Sequence, residues 1–533
     1  MKRIYIFLSA CLCTVAALAQ TPSTAMRKLQ MAEFYISNLY VDKVDENKLV
    51  EEAIIKMLAQ LDPHSTYSNP EEVKKMNEPL QGNFEGIGVQ FQMIEDTLLI
   101  VQPVSNGPSE KVGILAGDRI IAVNDTTIAG VKMSTEDIMV RLKGPKDSKV
   151  NLKIIRRGVK DPLVFTVKRD KIPIFSLDAA YIVQPKTGYI RINRFGATTT
   201  EEFQKAMKEL QKQGMKDLIL DLQGNGGGYL TAAIDLANEF LGQKELMVYT
   251  EGRAQPRAEF FAKGDGKFRD GRLIVLIDEF SASASEIVTG AIQDWDRGLV
   301  VGRRSFGKGL VQRPVDLPDG SMIRLTTARY YTPSGRSIQK PYDTKGENDI
   351  QKYNLDLIER FNHGEMTNAD SIHFPDSLKV LTMKLKRTVY GGGGIMPDYF
   401  VPIDTTLYTN YHRNLVGKGA IIKLVMKYIE NHRKDLTNKY KNFDQFNDKF
   451  EIDDATLTTL REMGEKDGVK FDEKQYSVSL PLIKTQLKAL IARDLWDMNE
   501  YFRVMNTTNE SVKRALEILN SNEYKKILNP DQN

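Results

Sequence analysis

The chain has 533 residues, of which 41% are hydrophobic and 27% charged, which is ordinary globular composition with length for several domains. Its 74 Lys and Arg against 70 Asp and Glu give a net charge of +4. This near balance excludes a bulk polyanion-binding protein, and no nucleic-acid partner is expected. Two cysteines and five scattered histidines exclude a disulfide framework and a thiolate-rich zinc site.

The N-terminus has the pattern of a targeting signal. Lys2 and Arg3 precede the apolar residues 4–18, and Ala17-Leu18-Ala19 fits the small-x-small cleavage rule. We therefore predict a signal peptide over 1–19, export, and a periplasmic location. The alternative is cleavage before Cys11 with lipidation there, and only this route predicts membrane attachment. Cleavage after Ala19 removes both cysteines, so the mature chain would have no thiol nucleophile.

Four regions follow the signal. Residues 26–80 are predicted to be helical, with a break at Asp62-Pro63 and a new helix capped by Asn69. Residues 83–170 change to short apolar strands and glycine turns, which predicts a small β-rich domain.

Residues 171–404 alternate strand and helix, which predicts a parallel sheet with crossover helices. Residues 405–533 are charged and poor in glycine, with the best helical pattern from Ala420 to Tyr428. No catalytic residues stand out there, so this region is interpreted as a helical accessory extension. The helical ends are candidates for contacts in a homo-oligomer.

A glycine turn opens the β-rich domain. In Gly86-Ile87-Gly88-Val89, consecutive backbone N–H groups can form a concavity that holds a carboxylate. A peptide can then add as a strand beside it, with its C-terminal carboxylate in the turn. Ile87 and Val89 are available to line an apolar pocket. A structural tight turn is the alternative interpretation.

A serine-rich segment follows a predicted buried strand and begins a helix. Its serines are Ser281, Ser283 and Ser285, and each is a candidate nucleophile or helix cap. Unpaired N–H groups at a helix start can stabilise an oxyanion. The chain has no Gly-x-Ser-x-Gly sequence here, and no histidine follows a core strand, so a Ser–His–Asp triad has little support.

Lysine is the remaining candidate base. Lys308 lies between two glycines just after the next strand, and Gln312 could orient its amine if this stretch is helical. Burial would have to lower the lysine pKa by about three to make it a base near neutral pH. The competing interpretation is a phosphate loop, Gly302-x4-Gly307-Lys308. Gly309 replaces its Ser or Thr, so the magnesium-binding hydroxyl is missing.

Several motifs together resemble the C-terminal processing peptidases, or tail-specific proteases. The motifs are residues 62–67 (DPHSTY), 221–228 (DLQGNGGG), 281–287 (SASASEI), 306–312 (FGKGLVQ) and 391–398 (GGGGIMPD). Residues 107–125 and 141–155 resemble a bacterial PDZ domain. The likeness covers about residues 30–400 in the family's order. It implies an α/β, crotonase-like (ClpP-like) peptidase core with an inserted PDZ domain.

The resemblance also implies roles for single residues. Ser283 would be the nucleophile, Lys308 the general base and Gln312 its support, while Gly227 and Ala284 would form the oxyanion hole. No metal or cofactor would be required, and the substrates would be proteins or peptides with a free C-terminus.

One position departs from the family pattern. Gln223 stands where the family usually has arginine, which removes one supporting ion pair. The alternative functions are a non-catalytic PDZ-based binding module and an exported phosphate-binding protein.

Overall fold

The computed structural model describes residues 23–342 and 347–528. The predicted signal peptide, its cleavage site and both cysteines lie outside these residues. No helix within the described ranges is both long and apolar enough to cross a lipid bilayer.

The N-terminal region is helical, as expected, with one short strand. Its elements are α1 (Thr24–Leu39), α2 (Glu46–Leu58), β1 (Thr66–Ser68) and α3 (Pro70–Gln81). The predicted cap of α3 is confirmed, because Asn69 accepts from the N–H of Glu72 at 2.9 Å and Glu72 accepts from the N–H of Asn69 at 3.0 Å. β1 was not predicted, since three residues between two turns carry too little periodicity.

The β-rich domain is a small six-stranded sheet with two helices and a separate two-stranded connection to the rest of the chain. Its elements are β2 (Asn83–Gly86), β3 (Val89–Ile94), β4 (Thr97–Pro103), α4 (Pro108–Lys111), β5 (Arg119–Val123), β6 (Thr126–Thr127), α5 (Thr135–Leu142), β7 (Lys149–Ile155), β8 (Leu163–Lys168) and β9 (Asp170–Pro173). The order is β3-β4-β5-β7-β8, with β6 paired to β5. In β7, Val150, Leu152 and Ile154 alternate into the domain core. β2 and β9 pair with each other and connect the domain to the rest of the chain.

The central region confirms the predicted α/β core. Its elements are β10 (Leu177–Gln184), β11 (Thr187–Ile192), α6 (Thr199–Lys212), β12 (Asp217–Asp221), α7 (Leu230–Asn238), β13 (Leu246–Gly252), β14 (Gln255–Phe261), β15 (Leu273–Ile277), α8 (Ala284–Asp294), β16 (Leu299–Gly302), β17 (Leu310–Asp316), β18 (Met322–Tyr331), α9 (Glu347–Asn362), β19 (Lys379–Leu381), β20 (Thr388–Tyr390) and β21 (Tyr399–Phe400). Two 3-10 helices, Ala369–Ser371 and Asp376–Leu378, precede β19.

Six of these strands form the main sheet, in the order β10-β11-β12-β15-β16-β21. All neighbours from β11 to β21 are parallel, and only β10 is antiparallel. A second, antiparallel sheet has the order β1-β18-β13-β14, with β17 paired to β18. The alternation of strands and helices did not predict this second sheet, because its strands join segments far apart in sequence.

The C-terminal region is helical, as expected. Its elements are α10 (Asn410–Gly417), α11 (Ala420–Lys439), α12 (Phe443–Lys449), α13 (Asp454–Lys466), α14 (Glu473–Leu495), α15 (Met498–Met505), α16 (Glu510–Asn520) and α17 (Glu523–Leu528). Helices α10 to α14 share a hydrophobic core of their own, which suits an accessory unit.

The last two helices, α16 and α17, pack against the main sheet and not in the core shared by α10 to α14. Leu218 and Leu220 of β12 face the core cluster formed with α6, α7 and α8, whereas Ile219 faces the opposite cluster, which contains Val512 and Ala515 of α16. A parallel sheet needs cover on both faces. Helices α16 and α17 therefore complete the peptidase core, and the interpretation of the whole extension as accessory is wrong for them.

Candidate active site

A cavity of about 590 Å³ lies beside the start of α8. It contains Ser283, Lys308 and Gln312, the three residues that the sequence predicts to act together. The segment Gly226–Gly228 and Ala284 line the same cavity. The remaining lining comes from α3, from Asn193 and Arg194 after β11, from the start of α7, from Ile287 of α8 and from the sheet of β17 and β18.

Ser283 differs from the two neighbouring serines. Ser281 and Ser285 are fully buried, and their hydroxyls donate to the carbonyl oxygens of Leu222 at 2.8 Å and Asn225 at 2.9 Å. Ser283 reaches the cavity and has φ +56° and ψ −111°, a left-handed conformation that non-glycine residues rarely adopt. Such strain costs about 1–3 kcal/mol and is concentrated at functional sites.

Two buried side chains hold the backbones of Ser283 and Lys308 side by side. One oxygen of Glu286, Oε2, accepts from the N–H of Ser283 at 2.8 Å and from the N–H of Lys308 at 2.9 Å. The Tyr330 hydroxyl lies 3.1 Å from the carbonyl oxygen of Ser283 and 2.5 Å from that of Lys308. Neither Glu286 nor Tyr330 was singled out from the sequence. The Glu at the third helical position was the available signal, since it fits a capping box.

The other oxygen of Glu286 holds the loop before Lys308. It accepts from the Ser305 hydroxyl at 2.6 Å and from the N–H of Gly307 at 2.7 Å. Burial raises the pKa of Glu286 to about 7, although its hydrogen bonds oppose the shift. The carboxylate therefore fixes the whole loop against α8.

Lys308 has the environment that a neutral lysine requires. Burial, with the positive charge of Arg324 adding to it, lowers the pKa of Lys308 from 10.5 to about 8, while Glu286 and Asp62 oppose this shift. Its Nζ donates to Gln312 Oε1 at 2.8 Å. A pKa near the working pH is what a general base needs.

Gln312 contacts Lys308, but not from a helix. The expectation of a helical turn here is wrong, because Gln312 belongs to β17 and pairs with Thr326 of β18. The register shifts between Val311 and Gln312, so a bulge re-aims the side chain. The Gln312 Nε2 donates to the carbonyl oxygen of His64. This contact turns Oε1 toward the lysine amine.

The motif around His64 supports this arrangement from the N-terminal region. Asp62 accepts from the N–H groups of His64 and Ser65, both at 2.8 Å, and thereby fixes the turn that presents the His64 carbonyl. The ring Nε2 of His64 lies 2.7 Å from the Tyr353 hydroxyl of α9. Burial lowers the pKa of His64 to about 4, so the imidazole is neutral at physiological pH. This use of a backbone carbonyl left no signal in the sequence.

The predicted oxyanion donors differ in their availability. Within the described residues, the N–H of Ala284 has no acceptor, as expected at the first position of a helix. The N–H of Gly227 donates to Asn225 Oδ1 at 2.9 Å, so its assignment to the oxyanion hole does not match this structure. Gly227 nevertheless faces the nucleophile segment, because a Cβ built on it would lie 2.9 Å from the Cβ of Ser283.

Gln223 has polar partners on two sides. Its carbonyl oxygen accepts from Nη2 of Arg191 of the adjacent strand at 2.7 Å, and Nη1 of that arginine donates to Asp221 Oδ2 at 2.5 Å. The amide of Gln223 lies 3.3 Å from the Ser511 hydroxyl and 3.2 Å from the Asn509 amide. The start of α16 is therefore attached to the glycine segment of the cavity.

The glycine turn of the β-rich domain has the features of a carboxylate site. The N–H groups of Ile87 and Gly88 have no acceptor among the described residues, and β3, which begins at Val89, is a terminal strand with an open edge. Gly88 has φ +70°, and Gly86 is the last residue of β2. The Ile87 side chain is only 3% exposed and belongs to the domain core, with Val89 packed against it, and their role in lining an apolar pocket stays a prediction.

Family comparisons match four segments of the chain. Residues 186–350 match peptidase family S41, 86–170 match the PDZ domain, and 13–72 match the N-terminal domain of the activating protease CtpB. Residues 411–497, which correspond to α10 to α14, match a family of unknown function.

Comparisons with single proteins give matches over 58–63% of this chain. The carboxy-terminal processing protease CtpB of Bacillus subtilis (strain 168) is 37% identical over 332 residues, covering 61% of this chain and 68% of that protein. A carboxy-terminal-processing protease of Bartonella bacilliformis is 38% identical over 344 residues, covering 63% and 78%. The solved photosystem II D1 C-terminal processing protease is 32% identical with a TM-score of 0.34, covering 58% of this chain and 83% of that one. The chain belongs to the carboxy-terminal processing proteases of peptidase family S41, and it is a serine-type peptidase that carries a PDZ domain.

Proposed function

We propose that Ser283 is the nucleophile of this peptidase and Lys308 its general base. The observation that carries the proposal is the pair of bridges from Glu286 and Tyr330, which hold both backbones at one cavity wall. With its pKa near 8, about a fifth of Lys308 is neutral at pH 7.4.

Catalysis then proceeds through an acyl-enzyme. As Ser283 Oγ attacks the scissile carbonyl carbon, its proton passes to Lys308 Nζ. The resulting ammonium donates a proton to the leaving amine when the C–N bond breaks. A water molecule attacks the ester, gives a proton to Lys308, and the collapse of the second tetrahedral intermediate returns a proton to Ser283. Gln312 keeps the lysine amine aimed throughout.

The oxyanion needs donors that point at the developing charge. Ala284 supplies one through its N–H at the start of α8. A second donor requires Gly227 to exchange its contact with Asn225 for the oxyanion. The closeness of Gly227 to Ser283 supports this exchange as a step of substrate binding.

The PDZ domain captures the free C-terminus of the substrate. The unpaired N–H groups of Ile87 and Gly88 would hold the terminal carboxylate, and the peptide would pair with the open edge of β3. The enzyme would act after export, in the periplasm. Membrane attachment through lipidated Cys11 and homo-oligomer contacts through the helical ends stay predictions.

The test is cleavage of one unfolded protein substrate made with a free or an amidated C-terminus. Wild type should cut it, and Ser283→Ala and Lys308→Ala should not, while Lys263→Ala, which alters an exposed lysine outside the cavity, should behave as wild type. Activity in Ser283→Ala would show that another residue is the nucleophile. Equal cleavage of both substrate forms would remove the carboxylate-capture step but keep the peptidase.

A further inference from the structure

The charged side chains that line the catalytic cavity are all basic. Its lining contains Arg194, Lys308 and Arg324 but, among the described residues, no Asp or Glu. The other lining residues are mainly apolar and include Leu80 of α3 and Ile287 of α8. Such a cavity offers no partner to a basic side chain of a substrate.

Among the described residues neither arginine has an anionic partner, whereas several other half-buried arginines of this chain do. Arg303 and Arg304, for example, pair with Glu279 at 2.6 Å and Glu365 at 2.5 Å. The guanidinium of Arg194 makes one hydrogen bond in the described part of the chain, from Nε to Asn193 Oδ1 at 2.7 Å.

Within the described ranges, the guanidinium of Arg324 has one hydrogen bond, to the sulfur of Met76. Among the described residues neither Arg194 nor Arg324 forms a salt bridge, so both guanidinium groups keep donors for a ligand. A half-buried guanidinium without a counter-charge is costly, and a carboxylate is the group that fits its planar donors.

The backbone places the arginines beside different parts of the machinery. Arg194 precedes Phe195, whose N–H donates to the carbonyl oxygen of Gly227 at 2.9 Å, so it stands on the glycine side. Arg324 of β18 pairs with Pro314 of β17, two residues from Gln312, and stands on the lysine side. Both arginines line the same cavity as Ser283.

We propose that Arg194 and Arg324 form a subsite that binds a carboxylate of the peptide being cleaved. This inference rests on the proposed function of the cavity and specifies its substrates. Peptides with apolar residues at the cut and an acidic residue close to it are favoured, and lysine or arginine at that position is disfavoured. The carboxylate belongs either to an Asp or Glu side chain or, when the cut lies near the chain end, to the C-terminus itself.

The test uses matched peptides that carry Glu, Gln or Lys at each position around the mapped cut, all with amidated ends. For wild type, kcat/KM should favour Glu over Gln at one position by about tenfold, which corresponds to about 1.4 kcal/mol. The preference should vanish in Arg194→Gln or Arg324→Gln and persist in Arg194→Lys. Arg313→Gln is the matched control, because Arg313 is exposed on β17 and does not line the cavity. Circular dichroism checks that each variant is folded.

The source of the carboxylate is decided by a second arm, in which the same peptides have free ends. If amidation lowers kcat/KM for wild type but not for Arg194→Gln, the C-terminus is the ligand of this subsite. If amidation lowers kcat/KM equally for both proteins, the lost contact belongs to the PDZ domain. Affinities of the amidated peptides for Ser283→Ala give a readout without turnover. Equal values for Glu, Gln and Lys at every position, in cleavage or in this binding assay, would overturn the subsite. Absence of cleavage together with a Glu preference in binding would instead refute the proposed nucleophile and base.

Discussion

Removing the charge of Lys308 should stabilise the protein while it abolishes activity. The pKa of Lys308 falls from 10.5 in a free side chain to about 8 in the folded protein. At about 1.4 kcal/mol for each pKa unit, holding the ammonium in this site costs about 3 kcal/mol at neutral pH. Lys308→Met keeps the length of the side chain without its charge. It leaves Gln312 Oε1 without its donor, which costs about 1 kcal/mol, so the expected net gain is about 2 kcal/mol.

The assay is thermal unfolding by calorimetry, with both proteins in the Ser283→Ala background so that self-cleavage does not contribute. For a unit of 150–250 residues, a gain of about 2 kcal/mol raises the unfolding midpoint by about 4–8 °C. The pH dependence identifies the cause. The pKa of Lys308 is lower in the folded protein than in the unfolded chain. Its charge therefore lowers the free energy of unfolding by the full amount below about pH 8, and this penalty disappears as the pH rises toward 10.5. The advantage of methionine should therefore shrink over the same interval.

Lys263→Met is the matched control, since an exposed lysine should change stability by less than about 0.5 kcal/mol. If Lys308→Met melts below the reference at pH 7, or if its advantage is the same at pH 7 and pH 10, the lysine is not destabilised by burial. The assignment of Lys308 as a base with a lowered pKa would then lose its physical basis.

Three further outcomes are expected. The kcat/KM of wild type for an uncharged peptide should rise with pH, with a midpoint near 8, because only neutral Lys308 accepts a proton. Arg324→Gln should move this midpoint upward, because it removes a positive charge that repels the ammonium. A downward shift in the pH–rate profile would contradict this. Gly227→Ala should lower kcat by about 100-fold or more, since its φ is +101° and the new Cβ would lie 2.9 Å from the Ala282 carbonyl oxygen. Gly226→Ala is the control and should keep activity, because a Cβ there would meet open space. Equal kinetics of the two variants would refute the close approach. Tyr353→Phe removes the hydrogen-bond partner of His64 Nε2 and should reduce kcat about fivefold with little change in KM. A change confined to KM would mean that His64 acts on substrate binding instead.

The sequence predicted the parts of the site that are local. Ser283 sits at a strand–helix junction and Lys308 in a glycine loop, and both patterns are visible within a few residues. The partners that hold them were not visible, because they come from distant segments: His64 lies 248 residues before Gln312, yet its backbone carbonyl orients that side chain. A backbone acceptor has no sequence signature at all.

The fold shows the same limit. The apolar stripe of α16, with Val512, Ala515 and Leu519, predicts a buried helix face but not the surface that it covers. Gln312 illustrates a second cause of error, since a four-residue spacing from Lys308 suggests a helix, and a bulged strand meets the same distance requirement.

The position of α16 and α17 also sets the order in which the enzyme can mature. The last strand of the main sheet ends at Phe400, but the helix that covers its second face begins only at Glu510. Until α16 docks, the sheet has an uncovered apolar face, and the glycine segment lacks its contacts with Asn509 and Ser511. The catalytic cavity therefore depends on a segment that lies more than a hundred residues beyond the sheet in sequence.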